Sequence, residues 1–144
     1  MYKELINKLS EPTKECIKNA YSIALAKMSN DEYEYVFQKI FKKITILEGS
    51  QIQWVRNLAV YYRMLYEILE NHRKKEQRLT EEAYQKILAA LFYYINPFDF
   101  IFDFTPDMGY IDDLYVLILC LESLSEDDKK IIMKDYEKIF EVTV

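Results

Sequence analysis

Apolar side chains return along most of this 144-residue chain at steps of three and four, the period of a helix that buries one face. After Pro12 they fall at Ile17, Ala20, Tyr21, Ala24, Leu25 and Met28, and Pro12 itself suits a first turn, where the N–H it lacks is not needed. Ser29 or Asn30 stands where a cap belongs for a second helix carrying Val36, Phe37, Ile40, Phe41, Ile44 and Leu47. That helix stops at Gly49, a C-terminal cap. Ser50 then opens a long helix with Val55, Leu58, Ala59, Tyr62, Leu65, Tyr66 and Leu69 on one face, ending near His72. Thr80 caps the next, through Ala83, Ile87, Ala90, Leu91 and Tyr94. From Leu114 to Leu121 the chain is apolar nearly all round, the pattern of a helix at the centre of a bundle. Ser125 with Asp128 three residues on starts a last helix through Ile131, Ile132, Tyr136, Ile139 and Phe140. The pattern predicts an all-α fold. Residues 1–144 form one compact bundle of five to seven helices, a short one inside residues 2–9 included, with a Pro/Asp-rich connecting loop at about 96–111.

Composition narrows the picture. Only two Gly and three Pro are present, too few turn formers for a sandwich, a barrel or a Rossmann-type fold. Hydrophobic residues make up 51%, so the chain folds rather than staying disordered. The net charge of −5 argues against a nucleic-acid partner, since phosphate backbones attract clustered positive charge. Cys16 and Cys120 lack any C-x-x-C spacing and read as buried free thiols, which suits a reducing compartment. The longest apolar stretch, Ile87 to Ile95, has nine residues, where a bilayer span needs about 20. No signal peptide is visible, and the expected location is the cytoplasm.

One segment departs from generic helix. Residues 89–117 read AALFYYINPFDFIFDFTPDMGYIDDLYVL, with five aspartates, two of the three prolines and one of the two glycines. The stretch at 98–104, FDFIFDF, admits a short strand, but Asn96 as N-cap, Pro97 behind it and Asp99 at the third position favour one helical turn. Thr105-Pro106-Asp107 makes a tight turn, and Gly109 allows a positive φ before Tyr110. Asp112 and Asp113 fall in the first turn of the helix that follows, where carboxylates accept backbone N–H bonds.

Tyr93, Asn96, Pro97, Asp99, Asp103, Pro106, Gly109, Tyr110, Ile111, Asp112 and Asp113, in that order and spacing, resemble the signature of the YkvA-like bacterial domain of unknown function. The resemblance is strict over about 30 residues and extends over about 51–124 when the preceding helices are included. Phe102 departs from it, standing where that family has a proline. The resemblance implies a helical fold, and with it a hint of membrane association; it implies no activity.

Candidate chemistry is sparse. Asp99, Asp103, Asp112 and Asp113 would suit a hard cation such as Mg²⁺ or Ca²⁺ if the loop folds back, and hence a metal-dependent hydrolase, but capping already explains each of them. No other cofactor is implied. His72 has no second histidine to form a ligand pair, and the basic run Arg73, Lys74, Lys75 and Arg78 reads as a solvated helix end and loop. Two glycines cannot build a phosphate-binding loop. The surplus is aromatic, with 13 Tyr. Neighbours such as Tyr61 with Tyr62 and Tyr93 with Tyr94 point about 100° apart on a helix, which predicts some rings at the surface. Tyr61, Tyr93 and Tyr35 are the interaction candidates, because Tyr carries large contact area with few rotors. The expectation is a non-catalytic protein-interaction or structural module that binds a protein partner or itself. The alternatives are the cation-binding or hydrolytic reading and a membrane-surface accessory, the latter disfavoured by the acidic charge.

Overall fold

The computed structural model describes residues 2–74, 79–95 and 110–132, with the side chains of Tyr2, Lys3 and Asn30 left aside. Among these residues the chain forms helices and no strand: α1 (Tyr2–Ile6), α2 (Glu11–Ala26), α3 (Asn30–Glu48), α4 (Gln53–Arg73), α5 (Glu81–Ile95), α6 (Ile111–Glu122) and α7 over 126–132. No helix among them is long and apolar enough to cross a membrane.

Local chemistry sets the ends. Ser10 caps α2 by accepting from the Thr13 N–H at 3.2 Å, with Pro12 in the first turn. Ser29 caps α3 by backbone conformation, while its hydroxyl donates to the Glu32 carboxylate. Gly49 ends α3 at φ −83°, returning its N–H to the Thr45 and Leu47 carbonyls. α4 starts later than Ser50: Ile52 is its N-cap, and the Ser50 hydroxyl accepts from the Ile52 N–H at 3.1 Å. Ser50 therefore shapes the bend before the helix and does not open it. Arg56 braces that bend, donating to the Ser50 carbonyl at 2.7 Å.

The centre of the bundle is α5, not α6. Among the described residues α5 packs against α2, α3, α4 and α6, and every side chain from Ile87 to Leu91 is buried. Ala89 and Ala90 let neighbouring helices come close on that side. α6 is more apolar, yet Ile118, Leu119 and Leu121 are only partly buried. An all-round apolar pattern therefore marked the wrong helix as central.

The tyrosines also differ from expectation. Tyr61 is 6% exposed and Tyr93 is fully buried, as are their neighbours Tyr62 and Tyr94, so neither interaction candidate offers a surface ring. α4 buries a wide arc, taking in Tyr61, Tyr62, Met64, Leu65 and Tyr66 nearly in succession. Three of the buried phenols act as bolts between helices. Tyr21 donates to the Lys86 carbonyl at 2.9 Å (α2 to α5), Tyr94 to the Lys43 carbonyl at 3.1 Å (α5 to α3), and Tyr62 to the Asp113 carbonyl at 2.9 Å (α4 to α6). A helix carbonyl has a second lone pair to spare, so a ring can be buried without orphaning its hydroxyl.

Two smaller expectations are corrected as well. Cys120 is buried but Cys16 is exposed. His72 is half-buried rather than solvated, its ring 4.9 Å from that of Tyr84. Arg73 next to it lies over the Tyr33 ring at 4.0 Å and pairs with Glu34 at 3.9 Å. Lys74 pairs with Glu70 at 3.5 Å, while Lys75 and Arg78 lie outside the described residues.

Candidate functional site

Two places combine chemistry with a defined position: the start of α6 and the outer face of α3. At the first, Asp112 and Asp113 sit in the opening turn of α6, where peptide dipoles favour negative charge. Both are only 2% exposed. Tyr93, two residues before the end of α5, donates its hydroxyl to Asp112 Oδ2 at 3.2 Å. Tyr62 reaches the same turn from α4, and its ring stacks on that of Tyr94 with centroids 4.0 Å apart and planes within 12°. Three helices thus meet on two consecutive aspartates. Tyr110, partly buried, occupies the N-cap position.

The electrostatics favour fixed donors over reactive groups. Burial, reinforced by the nearby Asp113 charge, holds the hydroxyls of Tyr62 and Tyr94 well above the usual phenol range. They remain protonated and donate. Burial likewise pushes the Cys120 thiol up to about 12, so no thiolate is available there at neutral pH. Catalysis by Asp112 or Asp113 would need a substrate to touch them, and at 2% exposure neither carboxylate is open to one. Among the described residues no group of three or more His, Cys, Asp or Glu side chains is arranged to hold a metal ion. Asp99 and Asp103, the other two proposed cation ligands, lie outside the described residues, as do Asn96, Pro97, Pro106 and Gly109.

The second place was largely missed in the sequence. Phe37 and Phe41, read there as part of a buried stripe, are 40% and 43% exposed, and Ile46 is 55% exposed. The buried stripe of α3 is narrower, made of Tyr33, Val36, Ile40, Ile44 and Leu47. A tighter helical wheel would have set the two phenylalanines on its shoulder. Tyr35 is exposed as expected, its ring 5.8 Å from Phe92. Phe37 and Phe41 lean on Tyr66, at 5.7 Å and 4.8 Å.

An all-α bundle bolted by tyrosine hydroxyls, with a buried Asp-Asp helix start as its polar centre, is the class these features define. Residues 85–119, most of α5 and α6 with the segment between them, match the model of a family of proteins of unknown function, DUF1232. This agrees with the resemblance carried by the residues from Tyr93 to Asp113. No curated protein and no solved structure gives a match.

Proposed function

We propose that the chain is a non-catalytic protein-interaction module that binds through the exposed side chains of α3. One observation carries this reading. Of the five large hydrophobic side chains exposed among the described residues, four project from this single helix, Tyr35 and Ile46 on one flank of its buried stripe and Phe37 and Phe41 on the other. Scattered exposed apolar residues are ordinary, but a concentration on one element is the mark of a contact surface. The rings are also held in place, Tyr35 by Phe92 and the two phenylalanines by Tyr66, so little side-chain freedom is lost on binding. At the start of α6, Tyr93 reaches the Asp112 carboxylate and Tyr62 the Asp113 carbonyl, contacts between helices that leave recognition to the surface.

The test is site-specific photo-crosslinking in the cell that makes the protein. A photoreactive residue at Tyr35 or Phe41 is expected to give discrete protein adducts, and the same residue at Glu15 on α2 none. Absence of adducts from both α3 positions would refute the proposal. Adducts with lipid alone would move the reading to a membrane surface.

A further inference from the structure

Resting on that reading of α3, we propose that the partner presents an acidic amphipathic helix, which lies along the stripe Tyr35, Lys39, Lys42 and Ile46. These positions are spaced at 0, 4, 7 and 11, so they fall within an arc of about 60° on one side of a helix and extend over about 16 Å, three turns. All four are exposed. Apolar groups stand at the two ends and cations in the middle.

The cations are what give the stripe its preference. On this acidic chain, Lys14, Lys18, Lys74, Lys86, Lys129, Arg63 and Arg73 each find a carboxylate. Lys39 and Lys42 pair with none among the described residues, as no Asp or Glu occurs between Tyr35 and Leu47; Lys8, Lys27 and Lys130 also pair with none, but none of them stands between two exposed apolar side chains on one side of a helix. Lys43, the third lysine of this stretch, is turned inward, its ammonium 5.4 Å from the centre of the Tyr94 ring. Two ammonium groups are thus left facing outward between two apolar anchors. The complementary surface has carboxylates in the middle and an apolar residue at each end, which one side of a three-turn helix supplies. Anionic lipid offers the same charge but no apolar groups at a fixed spacing of about 16 Å to meet both Tyr35 and Ile46, and the vesicle arm below separates the two.

Binding is measured on the full chain by fluorescence anisotropy with two labelled helical peptides. In one, leucines flank two central glutamates; in the other, lysines replace those glutamates. Mixed phosphatidylcholine and phosphatidylglycerol vesicles form a third arm. The acidic peptide should bind, more weakly as salt rises, and the basic one should not. The double variant K39E/K42E should lose about tenfold in affinity for the acidic peptide and gain for the basic one. Both lysines are exposed, so this variant keeps its fold, which circular dichroism verifies. Equal binding of both peptides, binding of neither, indifference to the charge reversal, or capture by the vesicles instead would each overturn the inference. So would sedimentation showing that a second copy occupies the stripe. The two levels of the argument separate cleanly. A crosslinked partner whose captured segment is neutral or basic defeats the acidic-helix assignment and leaves the interaction role standing, whereas absent adducts defeat the role itself.

Discussion

Replacing Asp128 by alanine should remove two helix caps at once. This carboxylate is 2% exposed and accepts three hydrogen bonds: from the Thr80 N–H at 3.1 Å, the Thr80 hydroxyl at 2.7 Å and the Ser125 hydroxyl at 2.7 Å. The Thr80 oxygen in turn accepts from the Ala83 N–H at 3.1 Å, and the Ser125 oxygen from the Asp128 N–H at 3.2 Å. One side chain therefore joins the N-terminus of α5, the central helix, to that of α7. Weakening two caps costs about 1 kcal/mol each, and stranding the Thr80 N–H adds about 1–2 kcal/mol. Asp128→Ala should thus lose about 3–4 kcal/mol at pH 7, and Asp128→Asn, which keeps one acceptor, roughly half as much. Burial alone would raise the pKa of this group, but the hydrogen bonds from Ser125 and Thr80 outweigh it and leave the carboxyl below its ordinary value. A depressed folded pKa means that the stabilisation is complete above the unfolded value of about 4 and is lost as pH falls through the folded one. The gap between the wild-type chain and Asp128→Asn should therefore shrink on acidification below about pH 4. Urea unfolding followed by circular dichroism, at neutral pH and at two acid values, reads both effects. An alanine variant within about 0.5 kcal/mol of wild type, or a gap that widens in acid, would refute this account of Asp128.

Tyr62→Phe keeps the ring stacked on Tyr94 and deletes only the bond to the Asp113 carbonyl, so it should cost about 0.5–1.5 kcal/mol in thermal or urea unfolding; no loss would show that the hydroxyl does not tie α4 to α6. Tyr21, Tyr62 and Tyr94 have folded pKa values raised first of all by burial. Their contribution is present below the unfolded value of about 10 and disappears above it, so tyrosinate absorbance should appear together with cooperative loss of helix; gradual ionisation of every tyrosine in a chain that stays folded would contradict this. An aromatic disulfide reagent should titrate one thiol in the native chain, at the exposed Cys16, and release the second, at Cys120, only on unfolding; prompt reaction of two thiols would show that Cys120 is not enclosed.

What the sequence made legible was the arrangement of helices, because apolar spacing and cap residues are local signals. The cap at Thr80, the Ser125–Asp128 pair and the end of α3 before Gly49 all stand where the residues suggest. Packing was less readable. A run such as Leu114 to Leu121 says that a helix avoids water, but not how many neighbours it has, and α5 with its two central alanines gathers more of them. Tyrosine misled for a related reason. A phenol can be buried wherever a carbonyl of another helix comes within reach, and that distance between helices is invisible in one strand of text. Tyr62 and Tyr94 find such carbonyls 51 residues away in the chain. At the start of α6, the placement of Asp112 and Asp113 in a first turn was local and readable, while the convergence of Tyr62 and Tyr93 on them was not.

The family match and the proposed binding face fall on different parts of the molecule. Residues 85–119 contain the central helix and the Asp-Asp turn, where the hydroxyls of Tyr62 and Tyr93 converge, and these are the parts that make the bundle hold its shape. Helix α3, with Tyr35, Lys39, Lys42 and Ile46, lies wholly outside the match. It is coupled to the matched part through the Tyr94 hydroxyl on the Lys43 carbonyl and through Phe92 behind Tyr35. A rigid interior of this kind positions an outer helix without dictating what that helix carries on its far side. Exposed residues there are free of the packing constraints that fix α5, so a basic and aromatic stripe can serve recognition at little cost to the fold. Under the proposed interaction role, the matched segment would serve as the scaffold and α3 would carry the specificity.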